Sequence, residues 1–309
     1  MLLLLAVTLP RLFWDAGPES APTLKEAGIA QIAVPAARAD AWKGAAGITI
    51  DVVDPQSAVK LVAPSVDYRA NQGSASRSPW INSNGWRFVR QPQALFVYDV
   101  KGVQAPLAAA EAFSYGVNAL IRSDAAGLKP LGDMLQFLRD VPADDMPPVA
   151  DIGFQDDGSF ASGEVMNLMT KANLLYRVVK APDRNLKLNA KLGTNEYPLE
   201  KAKNPGFVAQ LIRSNLTDDK RSLRVYGSLV VLARVTGTGD RLRVQLINFA
   251  GAERRVDGLR VRVLGKFAKA KLRAAGSPAE ELLDYTVEPD ATEFTLPELK
   301  SYAVIDLSR

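Results

Sequence analysis

Apolar and polar positions along the chain follow two periods, which change over near residue 217. Before that point, short apolar runs alternate with segments of helical spacing. Residues 11–15 (RLFWD), 29–34 (IAQIAV), 48–53 (ITIDVV), 95–99 (LFVYD) and 117–121 (VNALI) read as strands. Residues 60–64 and 86–90 are further strand candidates. Between them, 22–27 with Gly28 as a stop, 36–46, 106–115 with Pro106 in its first turn, and 128–141 read as helices. This rhythm is that of an α/β domain.

The stretch 148–193 concentrates the pattern. Residues 149–154 form an apolar run, and Asp156-Asp157-Gly158-Ser159 breaks it with turn formers. Ser162 is placed to cap the next helix, with Glu164 in its first turn opposing the helix dipole. Val165, Met166, Leu168, Met169, Ala172, Leu175, Tyr176 and Val179 then recur at helical spacing, and 186–192 alternates as a strand. Strand, crossover helix and strand imply a parallel sheet, with ligand sites beyond the carboxyl ends of its strands. A last helix, 205–216, follows Asn204 as its cap.

From residue 221 the period is two. Leu242, Val244 and Leu246 alternate with Arg241, Arg243 and Gln245, and Leu259, Val261 and Val263 with Arg260 and Arg262. One apolar and one polar face on short strands describe an antiparallel β-sandwich. The reading is therefore a (β/α)-barrel-like parallel domain over residues 10–218 and a C-terminal β-sandwich over 219–309, with the boundary at 217–220. Roughly eight candidate strands before residue 193 match the number a closed barrel needs. An open doubly wound sheet is the alternative. Residues 1–9 (MLLLLAVTL) read as the core of a signal peptide lacking its basic start, so a secreted or periplasmic location is expected. No stretch is long and apolar enough for stable membrane insertion.

Composition narrows the chemistry. Across 309 residues, 47% hydrophobic and 23% charged positions describe an ordinary globular chain. The net charge of +4 is spread as single Arg and Lys residues, so no nucleic-acid partner is expected. There is no Cys and no His. That excludes Cys nucleophiles, Ser-His-Asp triads, thiolate zinc sites and imidazole ligands. Carboxylates remain, and Asp15, Asp51, Asp54, Asp99, Asp124, Asp156 and Asp157 all fall at strand ends. Each one singly also suits a turn or a helix cap.

A carboxylate pair suffices for glycoside hydrolysis. Asp99, where LFVYD stops, is the first catalytic candidate, with Asp156 or Asp157 as its partner. The acidic turn lacks the spacing of a calcium loop, so neither a metal nor a cofactor is expected. Residues 71–86 form a long Ser-, Asn- and Gly-rich loop, expected at the carboxyl ends of the strands. Its Trp80, Asn82, Asn84, Trp86 and Arg87 mix aromatic faces with donors that suit a sugar; anchoring of the loop by its two Trp explains them equally. Asp15, beside Trp14, and Asp124 complete the candidate substrate-binding set.

An α/β region followed by a β domain that LRVQLINFAG (242–251) opens and SYAVIDL (301–307) closes resembles bacterial secreted glycosidase-type proteins. The resemblance implies a carbohydrate-active hydrolase with a carbohydrate partner. A non-catalytic glycan-binding or assembly protein on the same scaffold is the second reading, so whether the chain is an enzyme stays open. The crossover at 164–179 also resembles the glutamine-amidotransferase-like domain inside some galactosidases. That domain's catalytic Cys and His have no counterpart here, which implies a structural role for it.

Overall fold

A computed structural model describes residues 9–45, 47–68, 79–278 and 281–309. Most of the expected leader (1–8) and residues 71–78 of the long loop lie outside the described residues. In chain order the elements are β1 (Arg11–Phe13), α1 (Ala21–Glu26), β2 (Gln31–Pro35), α2 (Ala36–Ala39), β3 (Thr49–Val53), β4 (Val59–Lys60) and β5 (Ser65–Asp67). Then come β6 (Trp80–Asn82), α3 (Gly85–Arg90), β7 (Leu95–Val100), α4 (Gln104–Tyr115), β8 (Asn118–Ser123) and α5 (Ala125–Asp140). Next are β9 (Ile152–Gln155), α6 (Phe160–Lys171), β10 (Tyr176–Val178), β11 (Leu188–Lys191) and α7 (Pro205–Leu216). The last third holds β12 (Leu223–Tyr226), β13 (Val231–Gly237), β14 (Arg241–Asn248) and β15 (Val256–Leu264). It ends with β16 (Lys269–Ala274), β17 (Leu283–Val287), β18 (Ala291–Leu299) and β19 (Tyr302–Ser308). The chain divides into two compact units, residues 1–66 with 91–145 and residues 67–90 with 146–309.

The first unit is built on a parallel sheet of order β3-β2-β1-β8-β7-β4. Leu12, Ile32, Phe96, Tyr98, Leu120 and Ile121 are fully buried in it. Helix α4 ends where Gly116 takes a left-handed conformation, φ 65°, and its N–H bonds back to the Ala112 and Phe113 carbonyls. The sheet has the strand order expected of a (β/α)-barrel-like domain, without closure. Read from β4 the strands run β4-β7-β8-β1-β2-β3, all parallel and each beside its successor, with β8 against β1; no strand pairing joins β3 to β4 among the described residues.

The second unit contains a smaller parallel sheet, β10-β9-β11, and two four-stranded antiparallel sheets, β12-β15-β18-β17 and β13-β14-β19-β16. Ile152, Phe154, Tyr176 and Ala190 of the parallel sheet pack with Val165, Met166 and Met169 of α6 and with Val208 and Ile212 of α7. The antiparallel sheets form the expected sandwich, around a separate core of Val244, Leu246, Val261, Phe294, Leu296 and Ile305. The change of period at 217–220 falls between α7 and β12, and so between these two cores.

Segment 86–90, read as a strand, is the helix α3. The Asn84 carbonyl accepts from Arg87 N at 2.8 Å and Phe88 N at 3.2 Å, which starts a helical turn, and Gly85 and Phe88 make its buried face. Over so few residues a period of two and one of 3.6 cannot be told apart.

Candidate functional site

The sheet β10-β9-β11 carries the richest chemistry. From β9 the chain passes through α6 to β10 on one side, then returns to β11 on the other. Such a reversal is where open α/β sheets bind ligands, beyond the carboxyl ends of the strands. The acidic turn Asp156-Asp157-Gly158-Ser159 leaves β9 at that end.

Both aspartates of the turn are engaged. Asp156 receives a two-pronged contact from Arg90, Nε at 2.8 Å and Nη2 at 2.7 Å, and also accepts from Gly158 N at 3.0 Å. Its side chain is only 8% exposed. Arg90 Nη2 further donates to the Ser159 carbonyl at 3.1 Å, so one guanidinium fastens α3 to the start of α6. Asp157 accepts from Ser162 Oγ at 2.6 Å and from Ser159 N at 2.9 Å. The Ser162 hydroxyl, then Ser159, hold its carboxyl below the ordinary carboxylate range, because hydrogen bonds to the charged form favour it. The cap of α6 is Ser159, whose Oγ accepts from Ser162 N at 3.1 Å, and not Ser162 as the spacing suggested. Ser162 is buried and serves Asp157.

Trp86 lies half-buried against Gly163 in the first turn of α6, with the Arg87 guanidinium 4.3 Å and the Arg90 guanidinium 5.2 Å from its ring centroid. Trp80 lies elsewhere: Lys171, the last residue of α6, places Nζ 3.2 Å from its ring centroid. Eight residues of helix, about 12 Å, separate Gly163 from Lys171, so the two indoles mark opposite ends of α6. The loop therefore reaches the carboxyl end of the sheet with Trp86 but not with Trp80. Trp80 and Asn82 share one face of β6 while Ile81 is buried, and Asn82 Nδ2 donates to Asp67 Oδ2 at 2.9 Å. Asn84, expected to meet substrate, is fully buried at the start of α3.

The remaining candidates belong to the first unit. There β1 and β8 lie side by side in parallel, and Asp15 and Asp124 follow those two strands. Asp124 caps α5, its Oδ1 accepting from Gly127 N at 3.0 Å and Gly102 N at 2.9 Å, which explains it structurally. Asp51 accepts from Arg11 and Gln31, and Asp54 from Gln56 N. Asp15 is exposed. Asp99 is exposed on β7 opposite Arg122 of β8, and no ion pair or hydrogen bond engages its carboxylate among the described residues.

Sequence reasoning missed Arg90, which neutralises Asp156 from 66 positions away. No local signal links the two. It also missed a cationic groove after β10, of about 550 Å³, lined by Arg177, Lys180, Asp183, Arg184 and Asn185. Its three basic residues within eight positions were legible as a cluster.

No protein-family model matches the chain, and no curated protein matches it. Among solved structures it is similar to an alpha-L-fucosidase from Paenibacillus thiaminolyticus, at 7% identity and TM-score 0.48, over 70% of this chain and 60% of that one. It is similar to a rhamnosidase from Novosphingobium sp. PP1Y at 12% identity and TM-score 0.44, over 70% of this chain and 31% of that one. A GH42 beta-galactosidase from G. stearothermophilus aligns at 7% identity and TM-score 0.39, over 97% of this chain and 60% of that one. All three are glycosidases, and the chain spans at most 60% of their length.

Proposed function

We propose that the chain binds carbohydrate through the second unit and does not cleave it there. The observation that carries this reading is the strip on β6: the half-buried Trp80 indole, with Lys171 over one of its faces, the Asn82 amide two residues on, and the Asp67 carboxylate bonded to it. An aromatic face suits the C–H face of a sugar ring, and an amide beside a carboxylate suits its hydroxyls. Against cleavage stands the state of the acidic turn. A general acid must hold a proton near neutral pH. Asp157 is instead held charged by Ser162 and Ser159, and Asp156 is occupied by Arg90. Export from the cytoplasm is part of the same proposal and rests on the apolar run 1–9.

Affinity electrophoresis of the full chain in gels containing neutral soluble polysaccharides tests it. At least one polysaccharide should retard the protein, and Trp80→Ala should weaken that retardation by tenfold or more with an unchanged melting temperature. Retardation indifferent to Trp80→Ala, or none with any polysaccharide, overturns the reading.

Hydrolysis is the second reading, favoured by one observation, the exposed and unengaged carboxylate of Asp99. Turnover of an aryl glycoside that disappears in Asp99→Asn would establish it.

A further inference from the structure

The cationic groove is a built feature. Loop 179–187 leaves the carboxyl end of β10 and crosses the sheet face opposite α6, where β9 presents Gly153. A Cβ at Gly153 would stand 2.5 Å from Asn189 Oδ1 and 2.9 Å from Leu186, so the close crossing depends on glycine. Asn189 clamps the loop from β11. Its Oδ1 accepts from Asp183 N at 2.9 Å and its Nδ2 donates to the Asp183 carbonyl at 2.9 Å. Gln155, at the end of β9, donates Nε2 to the Lys180 carbonyl at 3.0 Å. Asp183 accepts from Asn185 N at 2.9 Å and pairs with Arg177. Strands on both sides thus hold the loop in one shape, which lowers the ordering cost of any ligand it meets.

Charge sets the ligand. The groove holds three cations, Arg177, Lys180 and Arg184, and one anion, Asp183. Arg177 and Asp183 neutralise each other. Lys180 and Arg184 are exposed and make no ion pair among the described residues, which leaves two positive charges facing the groove. An Arg fork beside a Lys point charge is the combination that takes a carboxylate or sulfate. The groove is shallow and open, with a volume of about 550 Å³, so it would meet a sugar and its acidic group from one side. No aromatic residue lines it, so it lacks the platform on which single-stranded nucleic acids stack.

We propose that the groove beyond β10 is a subsite for acidic carbohydrate, a sugar carrying a carboxylate or sulfate ester. This rests on the carbohydrate-binding reading and names the class of sugar. The test compares polygalacturonate with its methyl-esterified, uncharged form, using the full chain, its Lys180→Ala/Arg184→Ala double variant, and polyuridylate as a control polyanion. Calorimetric titration should show polygalacturonate binding at least tenfold more tightly than the ester. The double variant should lose that difference at an unchanged melting temperature, and added salt should weaken the acidic polymer only. Equal affinity for the two polymers overturns the subsite, as does a double variant that keeps the preference. Polyuridylate binding as tightly and falling equally in the variant overturns it too, since the groove would then be a general polyanion surface. Neutral polysaccharide binding that depends on Trp80, without any gain from acid, removes the subsite and leaves the broader reading standing. Binding of no carbohydrate of either kind removes both.

Discussion

Asp156 and Asp157 share a side chain and a turn, yet different neighbours give them different work. Asp156 closes an ion pair across elements with Arg90, and Asp157 fixes the first turn of α6. Breaking a buried pair from one side costs about 3–5 kcal/mol, and the one-fifth exposure of Arg90 places Arg90→Ala at the low end. Urea denaturation of that variant should show the loss, and Asp156→Asn in the same background should recover part of it. For Asp157 the sign follows from its lowered folded-state pKa: the linked stability is fully present above the ordinary 3.8 and is lost as pH falls through the lower folded value. Ser162→Ala removes the largest cause of the lowering. Ser162→Ala should then be less stable than the wild type near neutral pH, and the gap should narrow as pH falls, because the variant has less of this stability to lose; urea midpoints over about pH 2 to 6 measure it. The acidic turn was legible as a turn because Asp, Gly and Ser have local reasons to be there. Its charge partner was not, because Arg90 is brought to it only by tertiary packing.

Among elements, those with strong local signals formed where the sequence placed them. Helix α7 occupies 205–216, with Asn204 Oδ1 accepting from Phe207 N at 3.3 Å. Helix α3 reads as a strand in sequence because a six-residue segment carries too few turns to declare its period. Helix α5 shows packing overriding propensity. Gly132 sits inside it, where alanine would favour the helix by about 1 kcal/mol. A Cβ there would lie 1.7 Å from the Ala27 carbonyl oxygen and 2.8 Å from the Ala27 carbonyl carbon, both of them backbone atoms. Overpacking of this kind costs roughly 1–3 kcal/mol, and a rigid backbone neighbour puts it at the upper end. Gly132→Ala should therefore lower stability by about 1–2 kcal/mol net, read from chemical denaturation. A stabilised variant would show that α5 can slide away from Ala27.

At the scale of the molecule, the change of period announced two kinds of layer but neither strand order nor how the layers group. Order depends on which strand each crossover reaches, and grouping on side chains that meet across long separations. In the second unit the parallel sheet and the sandwich keep separate cores, joined by a mainly polar seam. Asp151, nearly fully buried, accepts from Ser222 Oγ at 2.6 Å, Ser222 N at 2.9 Å and Lys187 Nζ at 2.8 Å. Asn173, left-handed at φ 52°, donates to the Val231 carbonyl at 3.0 Å and accepts from Ala233 N at 2.8 Å, so its amide acts as one more partner for β13. Arg221 donates to the Ala172 and Asn173 carbonyls at 3.2 Å, satisfying the end of α6 from the sandwich side. Removing a buried hydrogen-bonded carboxylate leaves its donors unmatched at about 1–3 kcal/mol each. Asp151→Ala should consequently uncouple the two layers before unfolding either. Native-state hydrogen exchange should show β9 and β11 losing protection while β14, β15, β18 and β19 keep theirs, against uniform protection in the wild type. Equal losses in both layers would mean that the apolar contact of Leu175 with the sandwich core, not the polar seam, makes the unit cooperative.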